Sequence, residues 1–274
     1  MPAYNEDDTI HQAVTAVLAQ EYPCPVELVL VDDGSRIPAC QFLDGVRDRR
    51  LSVYRHEANL GKGAALRQAA AHATGTHMVP FDADMEYDPA DLVPMLAPVL
   101  AGRCDVVYGT RLFGANTRFQ SYPHGLANKL LTLAANVTFN AYISDLHTCL
   151  KLMPLDLFRS FPLKEVGFGL DTEITARILR TGARPFEVPV SYHSRSKAQG
   201  KKIAWRDGLE CLHILARIRR APLRAITSEP TPAAADAPSA EVEVPADLRS
   251  RMTRRGESRA ASGRRAGDRQ AALP

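Results

Sequence analysis

Three acidic side chains at alternate positions, Asp82, Asp84 and Glu86, close the apolar run Val79-Pro80-Phe81. Alternation is the period of an extended chain, so the spacing predicts the three carboxylates on one side. Like charges held so close repel unless a cation lies between them. Hard oxygen ligands of this kind suit Mg²⁺ or Mn²⁺, which keep coordination positions open for substrate phosphates. The same residues can equally form a solvated acidic loop, with Asp88 capping the helix that follows. A D-x-D alone does not separate these readings, and the surrounding elements have to.

Those elements alternate. The pattern predicts a helix over 9–20, from Ile10, Ala13, Val14, Val17 and Leu18 at helical spacing, and an apolar strand over 26–31 closed by Asp32-Asp33-Gly34-Ser35. A second strand is expected over 51–55. The glycine-rich turn Asn59-Leu60-Gly61-Lys62-Gly63 then opens an alanine-rich helix over 64–73, and a strand over 77–81 delivers the acidic residues. Further helices are expected over 91–100, 126–142, 154–161, 174–181 and 203–220, with strands over 105–108 and 186–190. Alternation at Leu150 and Leu152 points to extended chain there as well. Strands and helices at this spacing predict an α/β layer fold with a mixed, mostly parallel sheet flanked by helices. In such sheets ligands bind at the C-terminal edge of the strands, where Asp33 and the acidic cluster would lie. The first apolar strand expected before Pro2 is missing from this reading.

The 274 residues carry a hydrophobic share of 45%, enough for one core, and a net charge of only +3, which implies no partner by itself. The five cysteines are scattered without a C-x-x-C pair, which disfavours a zinc knuckle or a disulfide scaffold. No apolar run approaches the ~18–20 residues of a membrane span, and the acidic N-terminus does not read as a signal peptide. The expectation is a cytoplasmic protein, peripheral at the inner face of the cell membrane. Residues 1–220 read as the catalytic domain. From 221 the chain turns Pro/Ala-rich and then Arg-rich, and large apolar residues nearly vanish. That predicts a disordered tail, because little surface is available to offset its ordering entropy.

Seven stretches line up in order: Pro2-Ala3-Tyr4-Asn5-Glu6, Val31-Asp32-Asp33-Gly34-Ser35, Asn59-Leu60-Gly61-Lys62-Gly63, Asp82-Ala83-Asp84, Gly109-Thr110-Arg111, Tyr192-His193-Ser194-Arg195-Ser196 and Gly200-Lys201-Lys202-Ile203. Together they resemble the family-two inverting glycosyltransferases of GT-A fold, and within them the dolichol- or polyprenyl-phosphate mannosyltransferase branch. The resemblance implies a nucleotide pocket formed by Pro2, Tyr4, Glu6, Val31 and Ala83, with Asp33 near the base or ribose. It implies Asp84 as the main metal ligand with Asp82 beside it. Glu86 stands where close relatives often carry Gln, and its extra charge should tighten cation binding. Lys62 could reach a phosphate or be a solvated first-turn lysine.

In this branch the acceptor is a polyprenyl monophosphate, already anionic near neutral pH, so it needs cations to hold it rather than a strong base. Arg111, Arg195, Lys201 and Lys202 are the candidates by match to the motifs, with Arg118 a weaker one. The alternative for Arg111 is a salt bridge to a carboxylate, and for Lys201 and Lys202 a solvated loop. Asp171 and Glu173 stand where other members place a catalytic base. With a phosphate acceptor they would orient the donor sugar or cap a helix. Asp145 resembles an acceptor-side residue, His147 reads as structural, and Cys149 replaces a common Gly.

A lipid-linked acceptor requires proximity to a membrane surface. The apolar helix over 126–142 and the basic helix over 203–220, with Trp205 at its start, are the candidates, and packing on the sheet is the alternative. The leading expectation is transfer of mannose from GDP-mannose to polyprenyl phosphate with inversion. Glucose from UDP-glucose, a hydroxyl acceptor, or a non-catalytic relative that binds only nucleotide or partner are the alternatives. No specific nucleic acid is implied, and the oligomeric state is left open.

Overall fold

The computed structural model describes residues 1–112, 117–118, 122–194, 205–222 and 240–241. Contacts divide the chain into two units, Met1–Ala240 and Glu241–Pro274, and the first carries the sheets and helices that form the site.

Strand β1 (Pro2–Ala3) pairs in parallel with β2 (Leu28–Asp32), which pairs in parallel with β3 (Leu51–Arg55). The chain therefore opens on a two-residue strand at Pro2–Ala3, where the sequence pattern shows none. Val31 N donates to the Met1 carbonyl at 2.9 Å and Asp33 N to the Ala3 carbonyl at 2.8 Å, so backbone pairing alone registers it. A second sheet has the order β4 (His77–Met78), β7 (Lys151–Pro154), β5 (Val107–Thr110), β8 (Phe186–Pro189). Its β4/β7 and β5/β7 pairs are antiparallel and its β5/β8 pair is parallel. A small parallel pair joins β6 (Thr117–Arg118) to β9 (Tyr192–His193).

Helix α1 (Ile10–Ala19) buries Ile10, Ala13, Val14 and Val17, the stripe that its periodicity predicts, in one cluster with Leu28, Leu30 and Leu150. Helix α2 (Lys62–His72) is built of small residues because it is sandwiched. Ala65 and Ala69 meet Val29 and Val31, while Leu66 and Ala70 join a second cluster. That second cluster is made chiefly by α4 (Tyr122–Phe139), α6 (Leu170–Arg180) and α7 (Trp205–Arg220), which pack on one another and on Tyr108. Helix α3 (Leu92–Leu100) covers the other side through Leu92 and Met95, and the short α5 (Leu155–Arg159) follows β7.

Two boundaries differ from expectation in ways that move chemistry. The strand over 77–81 stops at Met78, because Pro80 cannot donate to a ladder, and the chain turns through Met85 at φ 60°. The acidic residues therefore sit on a turn and lose the period-two alignment. Helix α6 starts at Leu170, earlier than expected, which puts Asp171 and Glu173 in its first turn, where carboxylates complement the helix dipole. The tail boundary near residue 221 falls where few residues are described; Ala240–Glu241 forms a two-residue strand, β10.

Candidate active site

A cleft of about 300 Å³ opens at the C-terminal ends of β1 and β2, lined by Pro2, Ala3, Tyr4, Glu6, Asp33, Asn59, Gly61, Lys62 and Asp82–Asp84. Four chain segments far apart in sequence meet there. Pro2, Tyr4, Glu6, Asp33, Lys62, Asp82, Ala83 and Asp84 are brought together as expected. Val31 is not: it is fully buried in β2 against α2 and supports the cleft from behind.

Asp33 organises one wall. Its carboxylate accepts from Leu60 N at 2.9 Å and Gly61 N at 2.7 Å, and lies 2.6 Å from His56 Nδ1. These bonds pin the 59–61 turn to the end of β2, and no sequence signal singles out His56. The turn needs its glycines. Gly61 caps α2 at φ 88°, a left-handed backbone that glycine adopts without strain. At Gly63 a Cβ would lie 2.3 Å from the Glu165 carbonyl oxygen, so the backbone of 165–166 can approach only a glycine.

Lys62 lines the cleft and is ion-paired there rather than simply solvated. Its Nζ donates to Asp82 Oδ2 at 2.8 Å and lies 3.6 Å from Cys149 Sγ. Burial opposes its charge, yet Asp82 holds its pKa well above the ordinary lysine value. Burial also pushes the Cys149 thiol up, so Cys149 stays protonated beside this pair. Asp84 accepts from Glu86 N at 3.1 Å, which stiffens the acidic turn.

Glu86 is not brought to the cleft. It is buried, and its carboxylate accepts from the Tyr192 hydroxyl at 2.7 Å, while its carbonyl accepts from His193 N. The expected three-carboxylate cation site is thereby corrected: the turn at Met85 points Glu86 to β9. Among the described residues no three acidic, His or Cys side chains gather as a ready metal cage. The donor chemistry of Asp82 and Asp84 still fits Mg²⁺ or Mn²⁺, ions commonly held by one or two carboxylates with substrate phosphates and water completing the shell.

Arg111 takes its alternative role. Its Nε and Nη2 donate to Asp145 Oδ2 and Oδ1 at 2.6 and 2.8 Å, and its guanidinium lies 4.8 Å from the Tyr192 ring centre. Asp145 also accepts from Asn128 at 2.9 Å. Burial pushes the Asp145 carboxyl up, but the Arg111 pair outweighs it and holds the pKa at about 2. His147 is structural, as expected. Its ring bridges Asn128 and Thr172 and stacks on Phe168, and burial lowers its pKa to about 4, so it is neutral at pH 7.

Glu173 is fully buried, and its carboxylate is saturated. Lys164 N and Glu165 N donate to one oxygen, both at 2.8 Å, and Arg177 and Arg217 to the other. It ties α6, α7 and the 164–165 segment together with both of its oxygens occupied. Asp171 accepts from Lys151 Nζ at 2.9 Å and keeps 23% of its side chain exposed. Arg195, Lys201 and Lys202 lie outside the described residues, as do the side chains of Arg118 and Trp205.

The family model for Glycosyl transferase family 2 matches residues 1–161, more than half of the chain. The chain belongs to that family. Among curated relatives, it is 27% identical over 203 residues to the low-salt glycan biosynthesis hexosyltransferase Agl6 of Haloferax volcanii, covering 71% of this chain and 47% of that protein. It is 24% identical over 234 residues to the undecaprenyl-phosphate 4-deoxy-4-formamido-L-arabinose transferase of Shewanella sediminis, covering 83% and 68% respectively. With Agl6, AglJ and AglD of H. volcanii, the match spans only 47%, 62% and 32% of the relative's length. The fold is that of glucosyl-3-phosphoglycerate synthase from Mycobacterium tuberculosis, solved with Mn²⁺, UDP-glucose and phosphoglyceric acid. The TM-score is 0.59 at 18% identity, over 81% of this chain and 78% of that one. The likeness establishes a GT-A-like, Rossmann-type architecture.

Proposed function

We propose that this family-two glycosyltransferase moves a hexosyl unit from a nucleotide sugar to a polyprenyl phosphate, with inversion and in a divalent-metal-dependent reaction. The observation that carries the proposal is the cleft itself, where the nucleotide-pocket residues and the acidic pair Asp82 and Asp84 share one wall of strand ends. The donor diphosphate would lie along this acidic rim, with Asp84 and Asp82 holding the cation. A bound Mg²⁺ or Mn²⁺ supplies charge stabilisation for the departing nucleoside diphosphate. Lys62, already positive in the cleft wall, offsets the repulsion between the rim and an anionic donor.

The state of the carboxylates favours an anionic acceptor. Glu173 is saturated and Asp171 is ion-paired, so neither is poised to deprotonate a hydroxyl. A phosphate monoester needs no such base. One of its oxygens attacks the anomeric carbon, and the carbon–oxygen bond to the diphosphate breaks on the opposite face. The cations that would hold it are Arg195, Lys201 and Lys202. GDP-mannose is the first donor to test and UDP-glucose the second, a choice that the M. tuberculosis synthase makes concrete through its bound UDP-glucose.

Access to a lipid acceptor is supported by α4. Leu126, Leu130, Leu133 and Val137 form an exposed apolar stripe on a helix that carries Lys129 and no acidic residue, beside α7 with exposed Arg219 and Arg220. Such a face suits an anionic bilayer surface at the inner side of the cell membrane. No helix among the described residues is long and apolar enough to cross a membrane. A transfer assay with GDP-mannose, UDP-glucose and related donors against short polyprenyl phosphates tests the function. Product from at least one pair is expected with Mn²⁺ or Mg²⁺, and no transfer from any donor would refute it.

A further inference from the structure

Two ion pairs lie within electrostatic reach of one another: Asp82–Lys62 in the cleft wall, and Asp171–Lys151 with its lysine in the core. Lys62 joins Asp82 at 2.8 Å, and Lys151 joins Asp171 at 2.9 Å. Lys151 is the unusual member. It sits on β7 with no solvent exposure at all, a rare environment for an ammonium unless it is paired. Its Nζ also donates to the Thr148 carbonyl and lies 5.5 Å from the Tyr108 ring centre. Asp171, by contrast, keeps 23% of its side chain open, so the pair presents a carboxylate outward and hides its cation behind it.

We propose that Lys151 is a positioning residue that fixes Asp171 as a permanent carboxylate acceptor, able to take a hydrogen bond from a donor-sugar hydroxyl but not to remove a proton from an acceptor. This deepens the reading of the site as a glycosyltransferase and rests on it. The consequence is one of substrate class: a chain that spends its Asp171 in this way must receive an acceptor that arrives already anionic.

The surroundings of Asp171 agree. Burial alone would raise its pKa, but Lys151 first, then Lys62, overcome this and lower it below the ordinary carboxyl value. The other titratable groups in its electrical reach are His147 before β7, Cys149, Tyr108 of β5 and Cys211 of α7. His147 is held neutral and the thiols and phenol are held protonated by burial, so none replaces the lysine charge. A base with a depressed pKa is a weak base, which makes it poorly matched to a sugar hydroxyl. Removing Lys151 takes away the larger of the two lysine charges that oppose burial and moves the carboxyl upward.

The test compares wild type, Lys151→Gln, Lys151→Arg, Asp171→Asn and the Lys151→Gln/Asp171→Asn double variant, all as the full chain. Transfer is followed from pH 4 to 9 with Mn²⁺, the active nucleotide sugar and a short polyprenyl phosphate, and urea unfolding is measured alongside. Lys151→Gln should lose about fivefold or more in kcat at pH 4 relative to its own value at pH 7, with its acid limb moved up by about one pH unit or more. Lys151→Arg should bring the limb back, since it restores the charge. In unfolding, the double variant should be more stable than Asp171→Asn alone, which leaves the lysine buried and unpaired. An acid limb unmoved in Lys151→Gln, with only stability lost, would reduce Lys151 to a packing residue and overturn the proposal. So would strictly additive unfolding effects. The unfolding arm reads the pair without catalysis, and Asp171→Asn against the double variant decides it even where Lys151→Gln does not fold. A wild-type chain inactive with every donor would refute the glycosyl-transfer reading instead, and with it the substrate-class inference.

Discussion

Replacing Asp145 by Ala gives a sharp test of how Arg111 is used. The pair is bidentate at 2.6 and 2.8 Å, Asp145 is fully buried and Arg111 nearly so. Removing the carboxylate leaves a guanidinium in a low-dielectric site against the Tyr192 ring, which costs about 3–5 kcal/mol. Asn128 loses its acceptor as well, at roughly 1 kcal/mol more. The proton linkage gives an independent lower figure. A carboxyl that titrates near 3.8 unfolded and at about 2 folded contributes about 2–3 kcal/mol, fully present above pH 4 and lost as pH falls through 2. The truncation should exceed this, because protonation leaves a hydrogen-bonding group in place and Ala does not. Urea unfolding at pH 7 for Asp145→Ala, Arg111→Met and the double variant measures it. The single variants should lose several kcal/mol, and the double variant should recover at least about half of the Asp145→Ala loss. A loss under about 1 kcal/mol for Asp145→Ala, or a double variant no more stable than it, would show that the pair does not hold the fold in this way.

The remaining expectations rest on single contacts. Glu86→Gln keeps a partner for the Tyr192 hydroxyl and removes no cleft ligand, so Mn²⁺ affinity measured by calorimetry with a nucleoside diphosphate should change less than about threefold, under ~0.7 kcal/mol. Gly63→Ala drives a Cβ to 2.3 Å from the Glu165 carbonyl and should cost about 1–3 kcal/mol in unfolding, with weaker nucleotide binding. His147 titrates at about 4 folded against 6.5 unfolded, so the unfolded chain binds the extra proton and stability falls on acidification. Between pH 7.5 and 5 this should cost about 2 kcal/mol, and His147→Gln should remove that dependence. Replacing Leu130 and Leu133 on the α4 stripe by Asp should abolish sedimentation with anionic vesicles while leaving the unfolding midpoint within the error of wild type, since both side chains are exposed.

Much of the architecture was legible because the elements that matter carry periodic apolar residues. The stripe of α1, the continuous apolar β2 and the alanine-rich α2 each fold as their pattern demands. The cleft lining was legible through motif order. What the pattern could not supply was side-chain partnership. Alternation placed Glu86 with Asp82 and Asp84, but Pro80 and the positive φ of Met85 break the extended chain that such alignment requires. Lys62, Asp171 and Arg111 are paired with Asp82, Lys151 and Asp145, residues 20 or more positions away in sequence. Lys151 gave no local signal, since an isolated lysine on a short strand reads as exposed. The two-residue β1 was too short to show any period, and only its backbone bonds to β2 define it.

The proposed chemistry stands or falls with the acidic rim of this cleft binding a nucleoside diphosphate through a divalent cation. Calorimetric titration of GDP and UDP into the full chain, with and without Mn²⁺, measures it directly, with Asp84→Asn as the comparison. At least one of the two should bind in a manner that depends on Mn²⁺ and weakens by about tenfold or more, ~1.4 kcal/mol, in Asp84→Asn. Binding of equal strength without the metal, or in the Asp84→Asn variant, would contradict it, as would no binding at all.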